Sequence, residues 1–232
     1  MDVIQVAKDL AGNPAVTALL GALVGGWFTR GATLKAHDLN KRSARIESLT
    51  DTKNALTLLQ VELRSAWGIY EKEYAPELLG LEDGYPFLVS WPIGENTFVI
   101  YESMPECLTQ IAPSVAGAVV QMYMRVKGLV AMIEENNRYS EMASAAGLQR
   151  LETVLEDSMA NGVIMDVEMA AKHNEFLNAW TEFQAVKIGM GNHADTMKEL
   201  TREISESLPL LFDGLNVEVK KIDNEVVRLS KE

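Results

Sequence analysis

Cysteine is almost missing from this chain. Cys107 is the single one among 232 residues, so no intrachain disulfide can form, and a reducing compartment is expected. Histidine is nearly as scarce. His37, His173 and His193 have no metal-ligand partner at the following third or fourth position, and no HExxH motif occurs, which excludes the common zinc modules. The GxSxG, Walker A, DFG and HRD signatures of nucleophilic and phosphoryl-transfer enzymes are also absent. With no catalytic motif to place, the chain reads as a non-enzyme without a cofactor. Basic charge is short as well. The 21 Lys and Arg against 33 Asp and Glu leave a net charge of −12, which disfavours binding to phosphate backbones and hence to nucleic acid. Alternation of β-branched residues with turn chemistry is confined to residues 85 to 101, so strands are expected there or nowhere.

The charge that is present is unevenly placed. Residues 1 to 13 sum to −1 and residues 29 to 45 to +4, which leaves −15 for residues 46 to 232. Between the first two segments, Leu10 to Thr29 is a run of twenty uncharged residues. At about 1.5 Å per residue such a run crosses a ~30 Å hydrocarbon layer. Asn13 and Pro14 suit a helix start, because proline lacks a donor that the first turn leaves unpaired anyway. Trp27 and Phe28 fall where an aromatic belt would lie, and the cations come after the run, not before it. The positive-inside rule then puts the N-terminus outside and the remainder in the cytoplasm. The competing readings are a cleaved signal peptide, which lacks its basic n-region here, and a buried helix of a soluble protein.

These observations divide the chain into an N-terminal amphipathic segment (1–13), a transmembrane helix (14–30), a basic juxtamembrane collar (31–45) and a cytoplasmic helical domain (46–232). Within the span, Gly21 and Gly25 form a GxxxG, and Ala18, Ala22 and Gly26 form a second row of small residues. Such rows let helices approach closely in lipid, so a homo-oligomer is expected. Arg30, Lys35, Lys41, Arg42 and Arg45 are the candidates for contact with lipid headgroups.

The body carries helical stripes. Ile46, Leu49, Leu56, Leu59, Leu63, Trp67, Tyr70 and Tyr74 recur at steps of three, four and seven, and Pro76 closes that segment. Pro113 opens the most regular stripe, through Val115, Val119, Met122, Val126, Leu129 and Ile133. Weaker patterns run from Tyr139 to Met159 and from Val163 to Ile188, and Leu215, Val219, Ile222, Val226 and Leu229 form a final one. The expected fold is mainly α: one N-terminal transmembrane helix, then a bundle of long antiparallel helices with a small irregular or hairpin insertion. That insertion, from Tyr85 to Tyr101, is rich in aromatics. Trp91 is expected to pack, while Tyr85 and Phe87 are expected to stay partly exposed as a partner surface.

The N-terminal anchor, the collar, the long helix and the stretch ENTFVIYES…APSVAGAVVQMYMRVKGLV together resemble membrane-anchored bacterial proteins of prophages and other mobile elements. The likeness covers approximately residues 14 to 135 and is most recognisable from Ala116 to Leu129, with Tyr123 and the Lys127-Gly128 pair. It implies a helical protein of the bacterial inner membrane, with phage defence or exclusion as a context. It carries over no catalytic residues.

The leading expectation is a membrane protein whose acidic cytoplasmic domain binds a protein partner or senses a signal. One alternative is a pore-forming or membrane-disrupting effector, although Thr17 and Thr29 are the only polar side chains of the span after Pro14. A second is a nucleotide-using enzyme built on Gly189 to Asp213. There a GxGxxA follows Ala185-Val186-Lys187-Ile188 and precedes Leu208–Phe212, as strand, glycine turn, helix and strand would.

Overall fold

The computed structural model describes residues 14–94, 98–161 and 167–231. Its elements are α1 (Pro14–Glu73), α2 (Ala75–Leu79), α3 (Val99–Ser103), a 3-10 turn (Pro105–Gln110), α4 (Pro113–Ala160), α5 (Val167–Lys187) and α6 (Met190–Lys231). There is no strand among the described residues: of the 85–101 insertion, residues 85–94 are irregular and residues 99–101 begin α3. The N-terminal amphipathic segment lies outside the described residues.

The chain divides into two units, one of residues 1–51 with 222–232 and one of residues 52–221. In the first, Arg42 donates from its Nε to the carbonyl of Leu229, and Arg45 pairs with Glu225 at 3.7 Å. Both cations therefore serve the last turns of α6, where free carbonyls and the helix dipole attract positive charge.

The second unit is built on three long helices. The apolar stripe of α1 is buried as read, from Leu56, Leu59 and Leu63 through Trp67, Tyr70 and Tyr74. It ends where Pro76 follows, because proline removes a backbone donor and crowds the residue before it. The α4 stripe does not stop at Ile133. It continues through Asn136, Ser140, Ala143 and Gly147, so the two patterns read from the sequence belong to one 48-residue helix. On α6, Met190, Ala194, Met197, Thr201, Ile204, Leu208, Leu211 and Leu215 are buried, and Pro209 sits inside the helix.

Side-chain pairings set the directions. Tyr123 of α4 bonds to the Leu59 carbonyl and to Glu62, and further along both helices Trp67 and Tyr70 of α1 share a cavity wall with Leu129 and Ile133 of α4. Numbering rises together, so α1 and α4 are parallel. The bonds Tyr70 to Thr201 and Gln60 to Asn216 make α6 antiparallel to α1, and His193 to Met132 with Arg125 to Ser207 make it antiparallel to α4. The expected all-antiparallel bundle is corrected in this one respect. Parallel neighbours need a return crossing, and the segment from Gly80 to Ala112 supplies it.

That return segment is a strap with few backbone partners of its own, and the helices supply them. On α4, Asn136 donates to the Val89 carbonyl and Ser140 to that of Leu88, while Asn137 accepts from the Trp91 N–H at 2.9 Å and donates to its carbonyl at 2.7 Å. Glu62 of α1 accepts the Ile100 and Tyr101 N–H groups at the start of α3, and Glu218 of α6 accepts the Ala112 N–H that begins α4. Backbone groups outside regular structure need partners, so these polar residues on otherwise apolar faces are what ties the largely exposed strap to the helices, with Pro86 and Phe87 turned inward.

Among the described residues one helix, Pro113–Ala160, is long and apolar enough by length and composition to cross a membrane. Its Val119, Met122, Val126, Leu129 and Ile133 are buried in the body.

Candidate functional site

The strap, the end of α1 and the middle of α4 surround a cluster of rings. Trp91 stacks on Tyr74 with centroids 5.2 Å apart and lies 5.6 Å from Tyr70; Phe87 meets Tyr74 edge to face at 4.9 Å. Asn137, by holding both backbone groups of Trp91, fixes where that indole lies. Beside the cluster is a partly open cavity of about 330 Å³ with Trp67, Tyr70, Trp91, Phe98, Leu129 and Ile133 among its walls. Among the described residues no charged side chain lines it. The Tyr70 hydroxyl is engaged with Thr201 at 2.6 Å, and burial pushes its pKa up to about 12. Burial also raises the pKa of Tyr74. These phenols are neutral donors and acceptors at ordinary pH.

A second aromatic contact lies lower on the strap. Tyr101 stacks on Tyr123 at 3.9 Å, Phe98 packs edge to face on the same ring, and Lys127 bonds to Glu102 at 2.5 Å. Burial, followed by the Glu62 carboxylate that accepts its proton, raises the Tyr123 pKa. Cys107 is buried, with its thiol pushed up by burial, and its Sγ donates to the Met104 carbonyl. Among the described residues no group of three or more His, Cys, Asp or Glu is placed to share a metal ion.

The two candidate partner residues separate. Tyr85 is 46% exposed, and its hydroxyl meets Glu182, the leading cause of its raised pKa. Phe87 is 2% exposed and belongs to the core, which corrects the expectation of partial exposure. Neighbouring alternate residues of an extended segment point to one side only if the segment is regular, and this strap is not. Phe87→Ala is therefore expected to cost about 3–5 kcal/mol of stability. Tyr85→Ala is expected to cost under about 1 kcal/mol, since it removes an exposed side chain. Urea unfolding of the two variants checks this, and equal losses would refute it.

The glycine motif at 189 to 194 is a corner between helices. Gly189, at φ +89°, links α5 to α6, and helix flanks it on both sides where a dinucleotide unit needs strand. The segment Leu208–Phe212 is helical too. Gly191 is required for a different reason: a Cβ there would stand 2.0 Å from the carbonyl oxygen of Gly84. That turn is held by Lys198, which is 2% exposed and bonds to Asp83, Asp195 and the Leu81 and Glu82 carbonyls, while Asp195 accepts the Gly84 N–H. The nucleotide reading loses its basis.

Of the small residues assigned to oligomerisation, Ala18, Ala22, Gly25 and Gly26 are exposed, with open space around Gly25 and Gly26. The surroundings of Gly21 lie outside the described residues. Of the cations assigned to lipid, Arg30, Lys35 and Lys41 are exposed, whereas Arg42 and Arg45 are engaged with α6.

Sequence reasoning overlooked Glu62, Asn136, Asn137, Ser140, Lys198 and Glu218. A signal existed for two of them, since Asn136 and Ser140 continue the three-and-four spacing of the α4 stripe beyond Ile133. No family model, curated protein or solved structure matches the chain significantly.

Proposed function

We propose that the protein is a single-pass membrane protein, anchored by the N-terminal part of α1 with its N-terminus outside, whose acidic helical body recruits or senses a partner at the cytoplasmic face. The observation that carries this reading is the uncovered state of that part of α1. Leu23, Trp27 and Phe28 are 63%, 75% and 68% exposed among the described residues. Each large apolar side chain taken out of water is worth about 1.5–3 kcal/mol, so this face calls for lipid. The helix α4, though apolar enough, buries 33% of its apolar window in the body and binds the strap through Asn136, Asn137 and Ser140. Arg30, Lys35 and Lys41 follow the apolar stretch and suit anionic headgroups. The small residues of the same stretch would support self-association, and Tyr85 remains the candidate partner contact.

The test is fractionation. The full-length protein is expected to stay in the pellet through carbonate extraction, and a form with Leu23, Trp27 and Phe28 changed to Asn is expected in the supernatant. Protease added outside spheroplasts is expected to spare the body. Release of the unaltered protein by carbonate would overturn the anchor, and digestion of the body would reverse the orientation.

A further inference from the structure

The geometry points to the cavity beside Trp91 as a binding site for an uncharged, flat, apolar small molecule about the size of two fused six-membered rings. Protein interiors are close-packed, with few voids larger than a water molecule, so a hollow of about 330 Å³ is a feature to be explained. Its size falls within the ~300–1,000 Å³ of ligand pockets. An apolar cavity of ~150 Å³ stays dry and accepts benzene, and this one is about twice as large. The walls decide the chemistry. Among the described lining residues no side chain is charged, so these walls offer an ionised ligand no compensating partner for its lost hydration. Trp67, Tyr70, Trp91 and Phe98 offer four aromatic rings, and rings prefer offset-stacked or edge-to-face contact with another ring. The one hydroxyl among these four is already bonded to Thr201.

The walls are also held in place without a ligand. Asn137 fixes the backbone of Trp91, Tyr74 stacks on its indole, and Leu129 and Ile133 are buried on α4. The hollow is thus preorganised, which lowers the ordering cost of binding. All of these residues belong to the 52–221 unit, so the inference stands apart from the membrane anchor and survives its failure.

Photolabelling tests it with the full-length protein in phosphatidylcholine vesicles. The uncharged label 3-(trifluoromethyl)-3-phenyldiazirine is expected to modify peptides carrying Trp67, Trp91 and Val130. Naphthalene as competitor is expected to lower that labelling at least fivefold. Val130→Phe and, separately, Ala66→Leu, which fill the hollow, are expected to lower it to a similar extent while far-UV circular dichroism is unchanged. Decanol distinguishes a ring ligand from a lipid chain: competition by decanol stronger than by naphthalene would overturn the flat-ring assignment. Absence of label from these three peptides in the unaltered protein, or label that naphthalene leaves unchanged, would overturn the site.

Discussion

Replacing Gly191 with alanine is expected to lower stability by about 3 kcal/mol or more, the upper range for overpacking. For a chain of this length that corresponds to a fall in melting temperature of roughly 6–12 °C. The added Cβ would meet the Gly84 carbonyl oxygen at 2.0 Å and its carbonyl carbon at 2.6 Å, and both are backbone. The Gly84 turn has little freedom to recede. Its φ of +77° suits glycine, its N–H is bound by Asp195, and Lys198 holds Asp83 and the two carbonyls before it. Loosening that clamp with Lys198→Ala is expected to make the double variant less unstable than the sum of the two singles. Gly128→Ala is the control. It lies inside α4 with open space around it, so alanine there should stabilise by about 0.5–1 kcal/mol. Thermal melts of the four variants check the set, and a Gly191→Ala protein as stable as the parent would refute the close approach of the two turns.

Alkaline pH is expected to destabilise the body steeply. Tyr70 is 4% exposed, and burial raises its pKa from 10.0 to about 12; burial raises Tyr74 and Tyr123 as well. A raised phenol pKa means that the folded state keeps its proton where the unfolded chain has lost it. The contribution is fully present below about pH 10, declines as pH rises from there, and for Tyr70 is lost by about pH 12. Two units correspond to roughly 2–3 kcal/mol for Tyr70 alone. Urea midpoints measured from pH 8 to 11.5 should fall most above pH 10. Tyr70→Phe should flatten part of that fall while leaving Thr201 satisfied, because the Thr201 hydroxyl also donates to the Met197 carbonyl. A pH profile identical in Tyr70→Phe and parent would show that Tyr70 does not titrate late.

Much of the helical framework was legible in the residues. The stripe from Leu56 to Tyr74, its end at Pro76, the opening of a new helix at Pro113 and the Val119 to Ile133 face are all found where the spacing puts them. Periodicity works here because a helix shows its buried side every three or four residues whatever it packs against. The candidate site was legible only as a concentration of aromatics between residues 85 and 101. Composition marked the segment but could not say that Phe87 turns inward and Tyr85 outward, since an irregular strap has no period to read.

By itself, the sequence determined the apolar faces from Leu56 to Tyr74 and from Val119 to Ile133, the acidic character of the body and the uncharged run before the collar. Tertiary structure alone decided that α1 and α4 run parallel, because a stripe records burial and carries no direction. It alone assigned Glu62, Asn136, Asn137, Ser140 and Glu218 to the strap's backbone, and Gly191 to the Gly84 turn. Those roles join residues far apart in the chain. Hydrogen bonding and steric exclusion act between atoms a few ångströms apart, and that proximity exists only once the helices have packed.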